Sequence, residues 1–144
     1  MAGETILVVD NAPVNLKLAA AVLRGDGYRV HLSSNAEQAI TTLRTLRADM
    51  LLVDLYLPGM NGLELTRRLR EDARTRDTIV VALTGESGEE QHAVEAGCNG
   101  WISKPIDSRT LSGRVRWFLD GQPAAAAAVP SNPAIPARMP GGSR

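Results

Sequence analysis

Short apolar runs alternate with stretches of helical period from the first residues to about position 120. Thr5 to Val9 is rich in β-branched residues and ends on the polar pair Asp10-Asn11, the pattern of a strand running into a loop. From Val14 to about Leu23 the period changes. Leu16, Ala20 and Leu23 fall at i, i+4 and i+7, one face of a helix, which Gly25 and Gly27 break. Arg29 to Leu32 is a short strand, and Ala36, Ile40, Leu43 and Leu46 form a second helical stripe. Met50 to Val53 is a continuous apolar strand leading straight into Asp54. A turn through Pro58, Gly59, Asn61 and Gly62 precedes a third helix carrying Leu65 and Leu69. Ile79 to Leu83 is the next strand and ends at Thr84-Gly85; a short polar helix then runs to about Ala96 and stops at Gly97. Gly100 to Ser103 reads as a last strand before Lys104-Pro105, and Leu111, Val115, Phe118 and Leu119 line the closing helix.

Strand followed by helix, five times over, predicts an α/β fold with right-handed crossovers and a parallel sheet covered on both faces. Leu7 to Val9, Leu51 to Val53 and Val80 to Leu83 support it, because strands buried on both faces are apolar without alternation. One domain over residues 1–120 is expected. After Asp120 the composition shifts: five of the eight prolines and the run Ala124 to Ala128 lie in the last 22 residues. Such a segment buries too little surface to offset its ordering entropy, so 121–144 is read as a Pro/Ala-rich flexible tail or linker.

Charge and cysteine content narrow the function. Sixteen basic residues balance sixteen acidic ones, so bulk electrostatics do not draw the chain to nucleic acid. Cys98 is the single cysteine, which excludes a disulfide framework and a thiolate zinc cluster within this sequence. The start Met1-Ala2-Gly3-Glu4-Thr5 lacks the features of a signal peptide, and no apolar stretch reaches bilayer length. A cytoplasmic protein without membrane contact is expected.

In an open parallel sheet, ligands bind beyond the carboxyl ends of the strands, where strand order reverses. Four strand ends here carry polar residues: Asp10 with Asn11, Asp54, Thr84 and Lys104. Gathered in one crevice, two carboxylates, an amide, a hydroxyl and an ammonium make a site for a divalent cation and a phosphate.

The motifs Leu7-Val8-Val9-Asp10-Asn11, Leu52-Val53-Asp54-Leu55-Tyr56-Leu57-Pro58-Gly59-Met60-Asn61-Gly62, Val81-Ala82-Leu83-Thr84-Gly85 and Ser103-Lys104-Pro105 resemble those of receiver domains in bacterial two-component signalling. The resemblance covers about residues 5 to 120. Pro13-Val14-Asn15-Leu16-Lys17-Leu18 and Gly97-Cys98 look most like single-domain cell-cycle regulators and hybrid-kinase receivers. It implies a flavodoxin-like, doubly wound, five-stranded sheet in the order 2-1-3-4-5 with five helices.

The resemblance also implies roles. Asp54 is the expected phosphoacceptor, attacking a phosphohistidine to become an acyl phosphate. Asp10, Asp54 and the main-chain carbonyl of Tyr56 are the expected Mg²⁺ environment. Thr84 and Lys104 are expected to grip the phosphoryl oxygens, and Trp101 occupies the place of the switch aromatic. The Lys104–Pro105 bond is expected to be cis. A histidine kinase or histidine phosphotransfer protein is the expected donor. Output is expected through a downstream protein on the face of the fourth helix, last strand and last helix, around Trp101 and residues 107–119. A monomer or weak homodimer is expected, signalling rather than performing enzymatic turnover.

One departure stands out. The family usually has two acidic residues after the first strand, and this chain has Asp10 followed by Asn11. An amide oxygen can coordinate Mg²⁺ but brings no formal charge, so weaker metal affinity is expected. Asn11 is equally readable as a turn residue. Tyr56 and Glu86 flank the route of the attacking water in the family, and the bulk of Tyr56 implies slow spontaneous dephosphorylation.

Plainer readings stand beside these. Asp10 and Asp54 could be turn residues, Thr84 a helix cap, Lys104 a solvated surface group and Trp101 simple packing. Trp117 and Phe118 read as packing residues, Cys98 as a small buried one, and His31 and His92 as histidines without triad partners. Arg67, Arg68, Arg70, Arg109, Arg114 and Arg116 read as solvated helix faces. Two rival functions remain: a pseudo-receiver, a phosphorylation-independent interaction domain supported only by Asn11, and an aspartate-nucleophile phosphatase. The phosphatase needs a second aspartate two residues after the nucleophile, where this chain has Tyr56.

Overall fold

The computed structural model describes residues 3–85 and 89–121. Ten elements alternate along the chain: β1 Thr5–Val9, α1 Pro13–Gly25, β2 Arg29–Ser33, α2 Ala36–Leu43, β3 Met50–Asp54, α3 Gly62–Glu71, β4 Ile79–Thr84, α4 Glu89–Ala96, β5 Gly100–Ser103 and α5 Leu111–Leu119. The strands form one parallel sheet in the order β2-β1-β3-β4-β5. Strand order reverses between β1 and β3, the position at which α/β sheets open a crevice.

The apolar runs of β1, β3 and β4 are explained by two cores, one on each face of the sheet. Successive side chains of a strand point to opposite faces. Ile6, Val8, Leu52, Val81 and Leu83 therefore join Ala19, Ala20 and Leu23 of α1 and Leu111, Val115 and Phe118 of α5. Leu7, Val9, Leu51, Val53 and Ala82 face the other way, onto Ala36, Ala39 and Leu43 of α2, Leu65 and Leu69 of α3, and Ala93 of α4. Each fully buried leucine of these layers contributes on the order of 1.5–3 kcal/mol. Among the described residues, no helix is long and apolar enough to cross a membrane.

Helix boundaries follow local chemistry. Pro13 starts α1, where its missing N–H costs nothing. Asn35 and Asn61 cap α2 and α3, their side chains accepting from Gln38 N and Glu64 N at 2.8 and 2.9 Å. α2 ends at Leu43, one turn earlier than the stripe through Leu46 predicts, and Leu46 lies half-buried in the following turn. β2 carries one residue more than expected, Ser33, whose carbonyl accepts from Asp10 N at 3.1 Å.

Three arginines depart from the solvated-face reading, the first of them Arg114 of α5, which is half-buried and whose pKa burial lowers. Arg70 bends back off α3 and donates to Gly97 O, Arg76 O, Thr78 O and Asn99 Oδ1 at 2.7–2.9 Å. It thereby ties α3 to the loops flanking β4 and α4. Arg116 of α5 donates to Glu4 Oε2 at 2.7 Å and to Asp120 Oδ1 at 3.1 Å. Arg67, Arg68 and Arg109 are exposed, as are His31 and His92, and Cys98 is buried. Trp117 and Phe118 meet edge to face at 5.0 Å. The expected tail, Gly121 apart, lies outside the described residues, as does Glu86.

Candidate functional site

The parallel register sets the ends of four strands side by side. Val9 pairs with Val53, Asp54 with Leu83, and Thr84 with Ser103. Asp10 follows β1, Asp54 and Thr84 end β3 and β4, and Lys104 follows β5. Asp10, Asp54 and Thr84 are all buried, so two carboxylates and a hydroxyl lie largely out of solvent at this end of the sheet.

Buried charges need partners, and the structure supplies them. Asp10 Oδ1 accepts from Ala12 N at 2.8 Å, and Oδ2 from Asn15 Nδ2 at 3.1 Å. Asp54 Oδ1 accepts from Tyr56 N at 3.0 Å. Lys104 Nζ lies 3.3 Å from Asp10 Oδ2 and 3.2 Å from Asp54 Oδ2, bridging the two acids. One ammonium against two carboxylates leaves the cluster one negative charge in excess. The Lys104–Pro105 peptide is cis, and Lys104 N donates to Thr84 O. This second link joins the ends of β4 and β5.

The loop after Asp54 is built by two glycines. Gly59 adopts φ +73°, a left-handed turn that side chains disfavour. Gly62 starts α3 against the end of β3: a Cβ there would stand 2.5 Å from Asp54 O and 2.9 Å from Leu55 Cα. Gly62 N donates to Leu55 O at 3.1 Å, so α3 is anchored directly to the strand that carries Asp54.

The other expected residues fall around this cluster. Asn11 is exposed on the loop beside Asp10, and Tyr56 is 67% exposed. Trp101, on β5, is half-buried and packs against the α2, α3 and α4 core. Among the described residues, no group of three histidine, cysteine or acidic side chains converges. Asp10 and Asp54 instead bring two carboxylates together, and carboxylate oxygens are the donor type a hard cation takes. Neither the bond from Asn15 to Asp10 nor the burial of Glu89 was legible in the sequence. Asn15 is one of many polar residues near a helix start, and Glu89 sits in a polar run that reads as solvated, yet it is buried.

The sequence profile of the response regulator receiver domain matches residues 6–116. The chain belongs to the response regulator receiver family. Among its relatives, the DNA-binding response regulator MtrA of Mycolicibacterium smegmatis is 36% identical over 113 residues, 78% of this chain and 49% of that protein. The phosphate regulon regulator PhoB of Pseudomonas aeruginosa is 35% identical over 121 residues, 83% of this chain and 53% of PhoB. This receiver chain thus spans about half the length of those relatives. By contrast, its match to the polar-differentiation response regulator DivK of Brucella anthropi, at 32% identity over 118 residues, covers 81% of the chain and 96% of DivK. Among solved structures, the receiver domain of sensor histidine kinase PA1611 from Pseudomonas aeruginosa superposes with TM-score 0.76 at 31% identity, covering 83% of this chain and 99% of that one. That structure is described with a magnesium ion coordinated in its active site cleft.

Proposed function

We propose that this receiver is a phosphoacceptor switch in which Asp54 takes a phosphoryl group from a histidine kinase or phosphotransfer protein. The observation that carries the reading is the Lys104 ammonium within 3.3 Å of both Asp10 and Asp54. Phosphoryl transfer demands little covalent work beyond the nucleophile; alignment and neutralisation of the equatorial oxygens dominate. An Asp54 oxygen attacks phosphorus. The bond from phosphorus to the donor's histidine nitrogen breaks, the bond to Asp54 forms, and the leaving imidazole takes up a proton. Lys104 and Thr84 serve as the ammonium and hydroxyl that hold the phosphoryl oxygens.

Asp10, Asp54 and the Tyr56 carbonyl would hold Mg²⁺, with Asn11 as a neutral fourth donor. The negative excess of the cluster and its carboxylate oxygens fit that ion. When bound, such a cation supplies positive charge against the transferring oxygens. Asp10 is oriented for this by Ala12 N and Asn15 Nδ2, and Asp54 by Tyr56 N.

The added phosphoryl charge shifts an existing two-state equilibrium. The readout is protein contact on the α4–β5–α5 face, with Thr84 and Trp101 as the coupled switch residues. Within this reading residues 1–120 are the folded receiver, 121–144 a Pro/Ala-rich tail or linker, and the compartment the cytoplasm. The chain's task is signalling, with catalysis limited to its own phosphorylation and dephosphorylation.

The test is incubation with acetyl phosphate and Mg²⁺, followed by intact-mass measurement, beside a chelator control. A gain of one phosphoryl group that the chelator abolishes is expected. No gain in either condition would instead favour a phosphorylation-independent interaction domain.

A further inference from the structure

β4 ends beside the proposed phosphoacceptor, and its last peptide has a defined direction. Thr84 O accepts from Lys104 N, so the carbonyl points toward β5. The Thr84–Gly85 bond is trans, and a trans peptide directs its N–H opposite to its C=O. The Gly85 N–H therefore points away from β5, toward the β3 side of the sheet, where Asp54 ends the neighbouring strand.

That N–H is already engaged. It donates to Glu89 Oε1 at 2.9 Å. Glu89 is buried, and its other oxygen, Oε2, is also buried and has no hydrogen-bond partner among the described residues. A carboxylate held out of water with half its acceptor capacity unused is a costly arrangement. The contact also spans four residues, whereas a capping box spans three.

We propose that Glu89 is an internal competitor for the phosphoryl site: its carboxylate occupies the Gly85 N–H, a donor directed toward Asp54, and is displaced when a phosphoryl group arrives. The inference rests on the reading of Asp54 as phosphoacceptor. Glu89 is a positioning residue and does not touch the reacting atoms. Both competitors are anionic oxygens seeking one N–H. The exchange trades a partly satisfied buried carboxylate for a phosphoryl oxygen and releases the first turn of α4. Such a latch lowers the affinity of the unmodified pocket for phosphoryl-like ligands and couples its occupation to α4.

The experiment measures equilibrium binding of beryllium fluoride, a phosphoryl mimic, in the presence of Mg²⁺. It compares the natural chain with Glu89→Gln and Glu89→Ala and also follows the Gly85 amide proton by NMR. Losing one competing charged hydrogen bond corresponds to binding tighter by roughly ten- to hundredfold in Glu89→Ala, with Glu89→Gln in between. In the natural chain the Gly85 amide resonance shifts on binding. In the unliganded alanine variant it lacks the downfield position of a carboxylate-bonded amide. A prop that merely supports the loop gives the opposite sign, weaker binding in both variants, and that result overturns the proposal. Unchanged affinity overturns it as well. Failure of the natural chain to bind the mimic overturns the Asp54 reading itself, and the latch with it. That outcome is distinct from normal binding without a Glu89 effect.

Discussion

Lys104 places its ammonium 3.2 Å from Asp54 Oδ2 while also reaching Asp10, so one cation holds two buried acids together. Removing it leaves the carboxylates facing each other. Lys104→Met is expected to destabilise the metal-free protein by about 1–3 kcal/mol, below the cost for a fully buried pair because the lysine side chain is 23% exposed. Mg²⁺ should then raise the melting temperature of the variant more than that of the natural chain. Thermal unfolding across a Mg²⁺ series checks this, and equal responses would contradict it.

Asn11 stands exposed beside Asp10, within the loop that would meet the metal. Asn11→Asp adds a third carboxylate to a cluster already carrying excess negative charge. Mg²⁺ affinity should rise on the order of tenfold, about 1.4 kcal/mol, by isothermal titration calorimetry. The metal-free variant should also be the less stable one. Equal affinities would remove any role for Asn11 in metal binding.

Gly62 leaves no room for a side chain against the end of β3. Gly62→Ala must push Asp54 O and Leu55 away from α3 and is expected to cost about 1–3 kcal/mol. Because the displaced backbone belongs to the strand carrying Asp54, phosphorylation should fall with stability. Denaturant unfolding beside the acetyl phosphate assay reads both. Natural stability in this variant would show that the contact is relieved elsewhere.

Arg116, hydrogen-bonded to Glu4, holds that carboxyl below its ordinary range. A carboxyl with a depressed folded-state pKa stabilises the fold at neutral pH, and that stability is lost as pH falls through the folded-state value. The stability gap between the natural chain and Glu4→Gln should hold near pH 7. It should shrink as pH drops below about 4.3, the ordinary glutamate value. Urea unfolding at several pH values tests it; a gap that widens toward acid would contradict the sign.

Much of this was legible in the sequence because its signals are local. The apolar runs of β1, β3 and β4 mark strands covered on both faces, and the polar residue ending each run marks the crevice. What the sequence hid is what depends on long side chains and close backbone approach. Helical periodicity places Arg70 on a polar face. Only the fold shows its guanidinium turning back to carbonyls near β4 and β5. Glu89 sits in a polar run, yet the end of β4 draws it inward. Leu46 continues a helical stripe by spacing alone, but the chain leaves the helix at Leu43 to reach β3.

The most direct test of the central claim locates the phosphoryl group. The natural chain, after reaction with acetyl phosphate and Mg²⁺, is treated with borohydride, which reduces an acyl phosphate to the corresponding alcohol, and is then mapped by peptide mass spectrometry. Conversion of Asp54 alone to homoserine, and no conversion in Asp54→Ala, is the expected result. Modification at another carboxylate, or an unmodified Asp54 in a chain that has gained phosphate, would contradict the assignment.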